Sequence, residues 1–138
     1  MQVFIVIRVP TGETPEAAAL QDTAARVAGL VEQAGHTAFV AYQEIQRRGW
    51  KDGRDFMPFV RGHLRESGLL LLVYTPELRG GLIEAGMAYA WGVPVWLLQR
   101  RGERVSSSAR GCAERVMEYA SLDELAVRLG EALNEVRE

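Results

Sequence analysis

Glu84 is the residue in this 138-residue chain whose type and surroundings most invite chemistry. It follows the glycine pair Gly80-Gly81, which opens a helical pattern closed by Gly92, so it falls in the first turn of that helix. At 100° per residue it shares a face with Met87, Ala88 and Trp91, an apolar stripe that desolvates a carboxylate and pushes its pKa up. The positive end of the helix pulls the other way, and complementing that dipole is the ordinary structural reason for a glutamate there. Its neighbours are small (Ala85, Gly86, Ala88, Ala90), which lets a helix press closely on a sheet and leaves room for a ligand over a strand end. Arg8, Arg79, Arg100, Arg101 and Arg104 fall in the adjoining polar loops. Guanidinium forks match the oxygens of a phosphate monoester, although solubility alone also places arginine in such loops. The free N–H groups at Gly80 and Gly81 suit the same anion.

The elements that must position these residues follow from the hydrophobic pattern. Gln2–Ile7, Thr37–Tyr42, Gly68–Tyr74, Val95–Leu98 and Glu114–Tyr119 read as strands, mostly continuous apolar runs of the kind buried on both faces. Thr14-Pro15-Glu16 starts a helix with Leu20, Ala24, Val27 and Val31 at helical spacing, and Gly35 stops it. A second helix is predicted within Arg54–Glu66 and a third over Gly80–Trp91. Ser121 caps a last one striped by Leu122, Leu125, Leu129 and Leu133. Gln43–Gly53 and Gln99–Gly111 read as polar loops. Strands alternating with helices, without hairpin signals, imply a single-domain α/β fold: a doubly wound parallel sheet of five strands, order 2-1-3-4-5, with helices on both faces. Ligands bind such sheets beyond the carboxyl ends of the strands, where the strand order reverses. That selects the loops Arg8–Glu13, Tyr74–Gly81 and Gln99–Arg110.

Composition narrows the function classes. With 48% apolar and 25% charged residues, the chain is an ordinary soluble globular protein. A net charge of −2 lacks the basic surplus of a nucleic-acid polymer binder or of a protein held on an anionic membrane. The longest apolar stretch, Leu82–Leu98, is broken by Glu84 and Pro94, so no membrane span is expected. The opening apolar run has no basic segment before it, so no signal peptide is expected either. The lone Cys112 permits no disulfide and no zinc site. It reads as a small buried apolar residue in a cytoplasmic protein without metal or redox cofactor. His36 reads as a solvated cap residue, and Trp50 as a loop anchor or a lid.

The segment TPELRGGLIEAGMAYAWGVPVWLL, Thr75–Leu98, resembles the signature of the nucleoside 2-deoxyribosyltransferase family. It is nearest to the branch that hydrolyses 2′-deoxynucleoside 5′-monophosphates. There a strand ends in Thr, a Glu follows nine residues on, and the helix reads E-x-G-x-A-x-A-x-G-x-P; Thr75, Glu84, Gly86, Ala88, Ala90, Gly92 and Pro94 match. The resemblance implies a Rossmann-like fold and cleavage of an N-glycosidic bond in a nucleoside or nucleotide, with Glu84 as nucleophile. An ionised carboxylate beneath the anomeric carbon stabilises an oxocarbenium-like transition state and can form a glycosyl ester. Substrate contacts are then expected from Arg8, Thr75, Arg79 and Gly81, and from His63, which stands where relatives often carry Trp. Ser107, within RVSSSARG, matches a serine that reaches a neighbouring subunit's phosphate site, which implies a homodimer. The sequence also departs from the family: Val60 and Gly68 stand where relatives have Asp, and Leu78 stands at a phosphate-contacting serine. Asp55, Glu44 and Glu13 are the carboxylates left to replace the acid. The alternative expectation is therefore a non-catalytic nucleotide-binding module of the same fold. A helix-borne Glu also occurs in dinucleotide hydrolases of the Toll/interleukin-receptor type, but nothing else here matches them. A phosphoacceptor receiver is excluded, because Arg8 and Tyr74 occupy its acidic positions.

Overall fold

Each strand run of the sequence becomes a strand. A computed structural model describes residues 1–136. The order is β1 (Gln2–Val6), α1 (Pro15–Gln33), β2 (Thr37–Val40), α2 (Ala41–Arg47), α3 (Gly53–Glu66), β3 (Leu69–Val73), α4 (Gly80–Ala90), β4 (Val95–Arg100), α5 (Ser107–Gly111), β5 (Arg115–Tyr119) and α6 (Leu122–Glu135). The five strands form one sheet in the order β2-β1-β3-β4-β5, every neighbouring pair parallel. This is the doubly wound α/β fold expected, with the order reversing between β1 and β3.

β3 is buried along its whole length because helices cover both sides of it. One side packs Val3, Ile5, Leu69 and Leu71 against α1 and α6. The other packs Phe4, Val6, Leu70 and Leu72 against Val60 and Leu64 of α3 and Ala85 and Ala88 of α4. The alternation of β1 and β3 side chains between the two clusters is the period-2 rule of a strand.

Two segments read as loop differ. After Val40 the chain turns directly into α2, so Ala41 and Tyr42 begin a helix instead of extending the strand. Ala41 and Tyr42 are buried, Ile45 packs on the same core one turn later, and Glu44 pairs with Arg47 and Arg48 at i+3 and i+4. α5 forms in the Arg/Ser-rich segment because Ser106 caps it, its hydroxyl accepting from Ala109 N–H, while Ala109 is buried. Pro58 lies inside α3, six residues from its start. The carbonyl it deprives of a donor belongs to Arg54, which is exposed and can be hydrated.

Candidate functional site

The carboxyl end of β1, the loop from β3 to α4 and the starts of α2 and α4 enclose a cavity of about 490 Å³, within the size range of small-molecule sites. Its walls are mostly apolar: Val6, Ile7 and Val9 from the β1 end, Ala41, Tyr42 and Ile45 from α2, Trp50 and Phe56 from the next turn and α3, and Leu78 before α4. The polar groups on it are few: Glu84, Arg8, Arg79, Glu77 and Gln46.

Glu84 is mostly buried, and its carboxylate has no hydrogen bond or ion pair among the described residues. Burial alone pushes its pKa from 4.5 up to about 7. The sequence placed it in the first turn of its helix, but it is the fifth residue of α4. The four free N–H groups of a helix end before that point, so the dipole does not offset desolvation.

Glu84 reaches the cavity because the start of α4 lies very close to the sheet. A Cβ at Gly81 would collide with Val6 Cγ1 and stand 2.9 Å from Leu78 Cδ1. Only glycine allows that approach. α2 and α4, which border the cavity, also lack a side chain capping their N-termini. Among the described helices, α1, α3, α5 and α6 are capped by Thr14, Asp52, Ser106 and Ser121. The start of α4 therefore sets Gly80 and Gly81, with no side chain capping them, and exposed, unpaired Arg79 against this space.

Arg8 sits at the β1 end with its side chain 29% exposed, its Nη2 2.9 Å from Glu77 Oε2 and its Nη1 3.9 Å from Glu16. Arg8, Glu77 and Ile7 also line a second cavity of about 250 Å³ on the α1 side of the sheet. Thr75 lies there, its Oγ1 buried without a hydrogen-bond partner, as is Glu103 Oε2. Burial raises the Glu103 pKa against the opposing pull of Arg100. Burial likewise raises that of Tyr119, with Arg100 opposing and Glu103 adding to it.

The structure thus gathers Glu84, Arg8, Arg79 and Gly81 on one cavity and moves other expected contacts elsewhere. Thr75 opens on the smaller cavity. His63 does not line either: its ring stacks on Phe39 at 4.3 Å and meets Phe59 edge-on at 4.5 Å, and its backbone carbonyl accepts from Gln2 at the start of β1. It stands behind the cavity wall, since Phe59 in turn meets Trp50 at 5.2 Å. Ser107 is exposed in the first turn of α5, outside both cavities of its own chain. Arg100 lines the smaller cavity, Arg101 pairs with Glu124, and Arg104 is exposed away from both. Tyr42, Ile45, Gln46, Phe56 and Glu77 are wall residues that sequence reasoning missed. The i,i+4 pair Ala41/Ile45 and the Glu44–Arg48 spacing were the available signal for the first three. Among the described residues, no three His, Cys, Asp or Glu side chains are grouped to hold a metal ion.

No family model matches the sequence, and no curated protein does. Solved structures do. The chain superposes on a CMP N-glycosidase of Clostridium botulinum, BcmB, with a TM-score of 0.76 at 15% identity, over 96% of this chain and 99% of that one. A 2-deoxyribosyltransferase of Bacillus psychrosaccharolyticus gives 0.69 at 14% identity over 91% and 90%. A conserved protein of Enterococcus faecalis V583 gives 0.65 at 15% over 95% and 98%. At such identities the likeness establishes the shared fold.

Proposed function

We propose that the protein cleaves the N-glycosidic bond of a nucleoside or nucleoside 5′-monophosphate, with Glu84 as the nucleophile. One observation carries this: a mostly buried carboxylate without a partner among the described residues, on a largely apolar cavity of about 490 Å³. An isolated buried carboxylate is costly in the empty site. It gains its counter-charge when the sugar becomes oxocarbenium-like, so the interaction is stronger in the transition state than in the ground state, the condition for catalysis. The aromatic walls at Trp50 and Phe56 suit a flat base. Arg79 and the uncapped start of α4 suit an anionic 5′ group. The folds shared with a CMP N-glycosidase and a 2-deoxyribosyltransferase support the same reading.

The reading includes a homodimer and a cytoplasmic location. α4 turns Ile83 and Tyr89 outward, 62% and 61% exposed, and α5 with Ser107 packs beside it. A second copy seated there would cover this apolar face and bring its serine toward a neighbour's phosphate. No helix of the described residues is long and apolar enough to cross a membrane.

A panel of nucleosides and nucleoside 5′-monophosphates, followed by chromatography for free base, tests the proposal. The wild type releases base at a rate that rises with pH through about 7, as Glu84 loses its proton. Glu84→Gln, confirmed folded by its thermal melt, is slower by at least about 10³-fold. Release that survives the substitution refutes the nucleophile. A second reading, a nucleotide-binding module without turnover, is favoured by Val60, which fills a core position where relatives carry an acid. Its mark is a thermal shift with nucleotides and no base released.

A further inference from the structure

Retaining cleavage needs a second group to complete turnover, and none of the carboxylates nominated from sequence stands at the cavity. Asp55 and Glu13 are exposed outside its walls, and Glu44 is engaged by Arg47 and Arg48. Val60 is fully buried core. Glu103 belongs to the smaller cavity. One other carboxylate among the described residues lines the same wall as Glu84, and that is Glu77.

Its setting is the opposite of Glu84's. Glu77 is 67% exposed, in the turn between β3 and α4, with Oε2 held 2.9 Å from Arg8 Nη2 and Oε1 without a partner among the described residues. The guanidinium fixes the group at the exposed rim of the cavity. Glu84 is the more buried of the two. Two carboxylates on one pocket in contrasting environments are how glycoside-cleaving sites divide their roles.

We propose that Glu77 is the base that activates water in the second half of the reaction, making this site a hydrolase rather than a transferase. The proposal rests on Glu84 as nucleophile. Once the nucleobase has left, the anomeric carbon is bonded to a Glu84 oxygen. The oxygen of water attacks that carbon, and the carbon–Glu84 bond breaks with its electron pair returning to the carboxylate. The proton of the water passes to Glu77 Oε1 and from there to solvent. The products are the free sugar, or its 5′-phosphate, and the regenerated enzyme.

The test is rapid-quench kinetics with intact-protein mass spectrometry on the wild type, Glu77→Gln, Glu77→Asp and Glu84→Gln. Glu77→Gln keeps a first-turnover burst of free base, accumulates the mass of one glycosyl group, and then turns over about 10²-fold slower. Added azide, a nucleophile that needs no base, restores turnover to Glu77→Gln and yields a glycosyl azide. A purely structural role would not produce that rescue. Glu77→Asp retains the carboxylate and turns over without accumulating the adduct. Wild-type-like turnover by Glu77→Gln overturns the role of Glu77, as does slow turnover without burst, adduct or rescue. If Glu84→Gln still releases base, or the wild type releases none, the nucleophile itself is wrong and Glu77 loses its role with it.

Discussion

On the face covered by α1 and α6, Ala24, Val27, Val31, Leu125, Leu129 and Leu133 are at most 1% exposed, and Thr14 and Ser121 cap the two helices. On the face covered by α2, α3 and α4, the lower half is packed as tightly by Val60, Leu64 and Ala88, but the upper half opens into the cavity at Glu84. Two of the helices that border the opening, α2 and α4, are 7 and 11 residues long, uncapped, and start with small residues, while the third, α3, is capped by Asp52. Those that close the opposite face have 19 and 14. The difference shows how one sheet can serve two ends. The α1/α6 face supplies more apolar burial and holds only the smaller cavity, whereas the other leaves two helix starts, a carboxylate and the larger hollow open. Functional sites are commonly less stable than the scaffold that holds them.

The largest effect that would break this contrast comes from the closed face. Leu129→Ala removes a fully buried side chain and should lower stability by about 3 to 4 kcal/mol. Base release per folded molecule should be unchanged. Chemical denaturation beside an activity assay checks both; a loss under about 1 kcal/mol would mean that face is not the scaffold. The opposite sign is expected at the open face. The pKa of Glu84 is raised from 4.5 to about 7, so its ionisation works against folding. That cost is absent below about pH 4, grows as pH rises, and is complete above pH 7. Glu84→Gln should therefore stabilise the protein by about 3 kcal/mol at pH 8.5 and by almost nothing at pH 4. Thermal melts of both proteins across that range sharpen the comparison, and a gain independent of pH would contradict it. The smallest effect is at the rim. Trp50 meets Phe59 edge-on at 5.2 Å, with the Arg48 guanidinium 5.7 Å from its ring. Trp50→Ala should cost about 1 kcal/mol of stability. It should raise KM for the nucleoside about tenfold with kcat little changed.

Sequence periodicity alone specified the layers. Continuous apolar strands such as β3 can lie only inside a two-sided sheet, and the Leu and Val stripes of α1 and α6 repeat at the helical period. The position of Glu84 on an apolar face was legible for the same reason. α2 was not, because its helix depends on burying Ala41, Tyr42 and Ile45 against a core assembled from distant strands. The same holds for α5, whose five residues gain stability from the burial of Ala109.

What the chain encodes locally is therefore the five strands, the long helices, their order and the solvent-averse surroundings of one glutamate. Spacing within an element follows from 2 or 3.6 residues per repeat, which needs no knowledge of the rest. The company kept by each loop residue was decided by tertiary structure alone. It set His63 among aromatic rings behind the cavity wall, turned Thr75 into the smaller cavity, and brought Glu77 to the wall that Glu84 occupies. Loop side chains follow no repeat, so where they converge depends on how separate elements dock in space.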